Sequence, residues 1–352
     1  MSRRLAVVLF NLGGPDRPEA VQPFLFNLFN DPAIIGAPAP IRWFLAKLIS
    51  NRRAPVARDI YTQIGGKSPL RELTEAQASA LNDALEQRGF NSRVFVCMRY
   101  WDPRSDEAAR DVAAFAPNSI VLLPLYPQFS TTTTGSSLVD WKHAAMAEGI
   151  SAETHTVCCY PQQDGWVAAQ ADLVSEGVLK AKAFGTPRVL FSGHGLPKKV
   201  VDRGDPYQWQ VEQTVAAIVD TVGNTITDHV VCYQSRVGPL EWIGPSTEDE
   251  LQRAATDGVP VVVVPVAFVS EHSETLVELD VEYREQAERL GVPGYVRVPA
   301  VATVPTVIQG LADTVEEALE RGPGLRPSRG TRLCPDSFGA CLCRHGDSQR
   351  GA

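Results

Sequence analysis

The stretch RVLFSGHGLP, residues 188–197, carries an apolar run directly into a histidine flanked by two glycines. Residues 188–192 read as a short strand apolar on both faces, the pattern of a parallel strand covered by helices. His194 then stands just past the carboxyl end of that strand. In open α/β sheets, chemistry collects at that edge. Gly193 and Gly195 leave the imidazole uncovered and are expected to permit close backbone approach by a flat ligand.

The same rhythm runs through most of the chain. Strand-like runs are 5–12, 93–99, 120–125, 153–158, 188–192, 229–234, 259–266 and 295–298. Amphipathic helical stretches follow several of them, including 72–88, 106–115, 165–182, 208–222 and 272–289. Alternating β and α elements define a doubly wound α/β architecture. The pattern occurs twice, and 352 residues suit two domains. The expected division is a first lobe of 1–126 plus 300–321, a second lobe of 127–299 and a tail of 322–352. A crossover near 126–137 and a final helix at 306–320, packing back on the first lobe, complete this reading.

The composition is that of an ordinary globular protein, 44% hydrophobic and 21% charged. A net charge of −8, with no concentrated basic patch, argues against a nucleic-acid partner. No segment approaches the roughly 18 consecutive apolar residues of a membrane span. The amino-terminal apolar run ends in a turn and lacks a cleavage site, so it reads as a buried strand, and a cytoplasmic protein is expected. Seven cysteines, an odd number, are then expected to be reduced or metal-bound.

Three motifs fail on inspection. Gly13-Gly14 lacks the dinucleotide-binding spacing. Gly66-Lys67-Ser68 would need a glycine where Tyr61 stands, and Pro69 follows at once. Ser192 is not a nucleophile elbow, because Leu190 occupies the first glycine position.

The run 259–266 leads into Glu271, His272 and Glu274, at the same kind of sheet edge as His194. Glu274, Glu278 and Glu282 follow at i, i+4 and i+8, a carboxylate ladder on one helix face. On its own such a ladder also describes a solvated acidic surface. Beside an imidazole, it suits a borderline divalent metal such as Fe²⁺, with a staged entry route. Hydroxyls and glycine in 126–137 either cap the following helix or bind anionic groups through its amide end.

The segment 38–53 is apolar but studded with Arg42, Lys47, Arg52 and Arg53. It is either a helix packed on its own core or an amphipathic lip, with Trp43, Phe44, Leu45 and Leu48 in a membrane surface and the basic residues at the headgroups.

Taken together, Phe10-Asn11-Leu12-Gly13-Gly14-Pro15, Tyr61 through Pro69, Met98-Arg99-Tyr100, Tyr126 through Ser130, Ser192 through Pro197, Tyr233 through Pro239 and Phe268 through Leu276 resemble, in order, the motifs of the ferrochelatase family. They span about residues 5–320. The resemblance implies two similar lobes with a porphyrin in the cleft between them. It implies a lyase of haem biosynthesis that inserts Fe²⁺ into protoporphyrin IX to give protohaem. His194 matches the family's metal-site histidine and Glu274 the carboxylate across the macrocycle. Tyr61, Arg99, Tyr100, Gln128 and Trp242 match or neighbour positions lining the pocket. The segment 38–53 corresponds to the lip by which membrane-associated members touch the bilayer, so the expected location is cytoplasmic, peripheral to the membrane.

A bent macrocycle exposes its nitrogen lone pairs, and the pyrrole protons need an acceptor. His194 is favoured as base, and Glu274 with Glu278 as iron-delivery ligands, an assignment that residue types alone do not separate. Coproporphyrin presents the same hole as protoporphyrin, and the apolar lip favours the latter. A cobalt chelatase would be expected to carry a more histidine-rich site than six histidines supply, and a haem- or metal-binding protein of this fold would not need the base. Both monomer and homodimer fit the sequence.

Cys334, Cys341 and Cys343 fall within ten residues of the Gly/Pro-rich tail, in a spacing unlike usual zinc sites. Free thiols or zinc are the alternatives to a cluster. Some bacterial family members hold a 2Fe–2S cluster on three tail cysteines and one internal cysteine. That resemblance implies Cys158, in preference to Cys159, as the internal ligand with Cys334, Cys341 and Cys343. Animal members place the internal cysteine in the region where this chain has Thr131. Cys97 and Cys232, inside strands, are expected to be small core residues.

Overall fold

The computed structural model describes residues 4–345 other than 237, 239 and 330. The chain divides into two compact units, one of residues up to 159 with 311–333 and from 342 on, the other of 160–310 with 334–341.

The first unit is built on β1 (Arg4–Asn11), β2 (Asn91–Met98), β3 (Ser119–Pro124) and β4 (Glu153–Val157). β1 is buried along all but its first residue, as a central strand covered on both faces must be. It pairs in parallel with β2 and with β3, Val7 standing beside Val94 on one side and Val121 on the other. Ala6, Val8 and Phe10 face one way, onto Ala108, Ala109 and Val112 of the helix Ser105–Phe115 and onto Trp141.

The second unit repeats the plan with β5 (Arg188–His194), β6 (His229–Gln234), β7 (Val261–Pro265) and β8 (Tyr295–Arg297), all parallel. Val261 and Val263 pack with Leu190, Leu251 and Leu279. Val262 points to the opposite face, where Gly177 lets the helix Asp164–Ala181 approach: a Cβ there would lie 3.0 Å from Val262 and 2.8 Å from Val298. Burying each such valine is worth about 1.5–3 kcal/mol relative to leaving it exposed.

Strand order is β2-β1-β3-β4 in one sheet and β6-β5-β7-β8 in the other, so the duplicated pattern expected from the sequence is present. In each, the first strand lies between the second and third. Connections leaving the first and third strands therefore diverge, which opens a crevice at their carboxyl ends. In the second unit those strands are β5 and β7.

Three features differ from the sequence reading. The division falls after residue 159, not after 126, because β4 pairs with β3 and so keeps 127–157 in the first unit. The tail does not leave the α/β pattern at 322: β9 (Gly324–Arg326) adds to β4 as a fifth parallel strand. The expected α-helix over 272–289 is a π-helix, Glu274–Glu282, continued by the α-helix Tyr283–Leu290. Its wider bonding is seen where Tyr283 N donates to Glu278 O, five residues back. Such segments are uncommon and gather at functional sites.

The segment 38–53 starts at the N-cap Pro38 and forms the front of one long α-helix, Ala39–Thr62. Among the described residues no helix is long and apolar enough to cross a membrane.

Candidate active site

β5 delivers His194 through a rigid support. Ser192, fully buried, bonds Gln234 Oε1 at 2.8 Å and Thr247 Oγ1 at 2.9 Å. A Cβ on Gly195 would lie 2.7 Å from Gln234 O, and one on Gly193 would meet the Tyr207 hydroxyl at 3.4 Å and the Tyr233 ring at 3.5 Å. Gly195 therefore serves close packing within the unit, where a side chain would collide with the backbone of β6. Trp242 joins this wall, bridged to Pro197 and within 3.4 Å of the same Cβ position on Gly195.

From the end of β7, the ring of Phe268 packs on His272 with centroids 4.7 Å apart, and His272 N donates to Thr275 Oγ1. This turn starts the π-helix and aims Glu274 at β5. His194 Nδ1 lies 2.8 Å from Glu274 Oε2, and His272 Nε2 lies 3.9 Å from the same oxygen. The side chains of His194 and Glu274 remain 42% and 25% exposed, so the pair is open on one side.

One turn on, Glu278 accepts from Ser235 N at 2.7 Å, from the Ser235 hydroxyl and from Tyr283 Oη at 3.0 Å. Ser235 holds φ at 60°, the left-handed region, which costs roughly 1–2 kcal/mol for a residue with a Cβ. That conformation turns both of its donors to one carboxylate. Four residues in a π-helix fall just short of a turn, so Glu274 and Glu278 share a face, while Glu282 is exposed at the end of the ladder.

Electrostatics separate the roles. Burial alone would raise Glu274, but the adjacent His194, then His272 and Ser235, hold it down to about 2. Burial also opposes charge on His194, yet the Glu274 carboxylate, by charge and hydrogen bond, raises its pKa above the ordinary value. Burial and then the neighbouring charge of Glu274 push Glu278 up to about 7, against the hydrogen bonds of Ser235 and Tyr283. Burial lowers His272, outweighing the acidic neighbours that would raise it. Since Glu274 is ionised and can only accept, Nδ1 of His194 carries the proton and Nε2 is left for chemistry.

Tyr61, Arg99, Tyr100 and Gln128 belong to the first unit. Tyr61 is buried at the end of the helix Ala39–Thr62, and Gln128 is buried. Arg99 Nη2 and Tyr100 Oη each lie 2.8 Å from Asp31 Oδ2, which also accepts from Ser136. Asp31 was not singled out in the sequence: its local contact, accepting from Ala33 N at 2.8 Å, is an ordinary turn bond, and the partners that tie it to Arg99 and Tyr100 lie 68 to 105 residues away. Glu271 is bound by Arg297 at 2.6 Å and by Ala300 N at 2.9 Å, which makes it a support for the turn. His272 and Ser235 stood within quoted motifs, but only their geometry ties them to the two carboxylates.

Sulfur atoms of Cys158, Cys341 and Cys343, all buried, lie within 4.8 Å of one another, a group able to hold metal. The tail runs beside Cys158, whose N donates to Arg326 O at 2.7 Å, while Ser328 N donates to Cys159 O. Cys159 is buried but not in the group, and Cys334 stands outside it with Sγ 3.1 Å from Gln210 Nε2. Cys97 and Cys232 are core residues as expected, their thiols pushed up to about 12 by burial.

Two duplicated parallel sheets, with a histidine–carboxylate pair at the switch point of the second, define a chelatase-like protein. The fold is similar to that of SirB from Bacillus subtilis with Fe³⁺, at a TM-score of 0.51 and 11% identity over 90% of this chain and 95% of that one. The ferrochelatase family model matches residues 4–319. The chain is 53% identical to a ferrochelatase of Caulobacter vibrioides (strain NA1000 / CB15N), over 99% of this chain and 100% of the relative. It is 54% identical to one of Phenylobacterium zucineum (strain HLK1), over 97% and 99%. The chain belongs to the ferrochelatase family.

Proposed function

We propose that the protein inserts Fe²⁺ into protoporphyrin IX to give protohaem, as a ferrochelatase of haem biosynthesis. The observation that carries this is the 2.8 Å pair of His194 and Glu274, with Glu278 pushed up to about 7 one turn further on. Metallation releases two pyrrole protons while Fe²⁺ sheds its water. His194 Nε2 accepts the two macrocycle protons in turn, passing the first to solvent on the open side of the pair, and the ionised Glu274 holds the ring in the right tautomer and stabilises the imidazolium that forms each time. Glu278, near neutrality, exchanges protons or offers oxygen to the incoming metal with little driving force either way. Glu282, exposed, is the outer end of that entry route. Tyr61, Gln128 and Trp242 are the residues proposed to line the porphyrin, with Arg99 and Tyr100 fixed by Asp31.

Thiolate donors suit an iron–sulfur centre, and Cys158, Cys341 and Cys343 with Cys334 supply the four ligands a 2Fe–2S cluster needs. Bound there, the cluster would supply one-electron redox chemistry. Ile41, Trp43, Phe44 and Leu48 are exposed on the front of the helix Ala39–Thr62 and support peripheral contact with a membrane surface.

The test is an anaerobic insertion assay with Fe²⁺, offering protoporphyrin and coproporphyrin separately. Haem formation with a preference for protoporphyrin is expected, and His194→Ala is expected to reduce turnover by about 10²–10⁴. Metallation of neither porphyrin, or normal turnover by His194→Ala, would overturn the proposal.

A further inference from the structure

Gln210 stands in the first turn of the helix Tyr207–Val222 and is fully buried. A side-chain amide is tolerated there only if its polar atoms find partners. Its Nε2 lies 3.1 Å from Cys334 Sγ, 124 residues away along the chain. The segment around Cys334 packs on the same turn. The rings of Trp209 and Phe338 have centroids 5.9 Å apart, and Ala340 N donates to Gly204 O at 3.1 Å. Gly204, at a φ of +94°, passes so close to Gly339 that a Cβ would lie 2.6 Å from its N.

A neutral thiol is a weak acceptor, whereas a thiolate accepts an amide N–H well. We propose that Gln210 is a positioning residue for the iron–sulfur centre: its side-chain amide donates to the Cys334 thiolate and raises the cluster's reduction potential. The inference rests on the cluster reading given above. One-electron reduction adds negative charge to the cluster and its sulfur ligands, so a donor on a ligand sulfur stabilises the reduced form more than the oxidised one. Tyr207 belongs to the same turn, its hydroxyl 3.4 Å from the Cβ position on Gly193, next to His194. The residue that sets the potential thus shares a rigid turn with a wall of the metal-insertion site.

The experiment is an anaerobic redox titration of the purified full-length protein, followed by visible absorbance, with iron and sulfide assayed in each sample. Gln210→Met keeps the volume and removes the donor. Gln210→Glu keeps the shape and replaces the donor with an acceptor. The expected order of potential is wild type highest, Gln210→Met lower and Gln210→Glu lowest, with cluster content in Gln210→Met equal to wild type. A role in packing alone would not produce that order. A Gln210→Met potential equal to or above wild type overturns the assignment, and Gln210→Leu gives the same comparison if the Met variant does not fold. Wild-type protein without iron, sulfide or visible absorbance overturns the cluster reading itself, and the assignment with it.

Discussion

Glu278 accepts from both the backbone N–H and the hydroxyl of Ser235, a residue held at a φ of 60° immediately after the end of β6, the neighbour of β5 in the sheet. The carboxylate is thereby tuned by two opposed influences, burial beside Glu274 pushing its pKa up and the Ser235 donors pulling it down.

Ser235→Ala removes one donor to the charged form, so the Glu278 pKa rises above about 7. The acidic limb of the kcat/KM profile is expected to move to higher pH, with activity at pH 6.5 falling about tenfold at most. A pH–rate profile superimposable on wild type would separate Ser235 from the titrating group.

Glu278 also links stability to pH. Its folded-state pKa of about 7 lies above the ordinary 4.5, so the folded protein binds the extra proton between those values, and stability is lost as pH rises through that window. Glu278→Gln cannot ionise. Its unfolding free energy from urea titration is expected to match wild type near pH 4.5 and to exceed it at pH 8, by about 1 kcal/mol or more. The same difference at both pH values would contradict this.

Asp31 accepts from both Arg99 and Tyr100 at 2.8 Å, and Asp140 lies 3.6 Å from the same guanidinium. Asp31→Asn takes the nearer of two counter-charges from a nearly buried guanidinium, leaving Asp140 at 3.6 Å, and is expected to lower stability by about 1–3 kcal/mol. Removing both partners, in Asp31→Asn with Arg99→Met, should cost less than the first change alone, because no buried charge is then stranded. Chemical denaturation of the single and double variants checks this.

Trp43 and Phe44 are 53% and 63% exposed on the helix that carries the basic residues Lys47, Arg52 and Arg53. Replacing both by serine is expected to weaken sedimentation with anionic vesicles at least tenfold, while solution turnover with detergent-dispersed porphyrin changes little. Each aromatic inserted would contribute about 1.5–3 kcal/mol. Vesicle binding unchanged in the double variant would remove the lip from any membrane role.

Much of the fold was legible in particular runs. The strand at 229–234 coincides with β6, and the expected final helix 306–320 begins one residue late against Pro305–Glu320. Local periodicity suffices for such elements. The division after residue 159 was not recoverable, and 126 was expected instead, because only the parallel pairing of Ser119–Leu122 with Glu153–Thr156 assigns β4 to the first sheet. The π-helix was equally hidden: its residues keep a helical pattern whether the bonds span four or five positions.

His194 and Glu274 could be named from the chain because each follows an apolar strand, and strand ends are where parallel sheets place their chemistry. Sequence alone also determined the duplicated α/β order, since burial on both faces demands continuous Val/Ile/Leu runs. Tertiary structure decided the rest. The 2.8 Å approach of residues 80 positions apart depends on β5 and β7 being neighbours in the sheet. Asp31 acquires its role from partners at least 68 residues away. The pKa values of Glu274 and Glu278 diverge, although the residue type is the same, because one carboxylate faces imidazole and the other faces its own kind. Charge interactions and burial act through space, so they follow the packing of the elements and not their order along the chain.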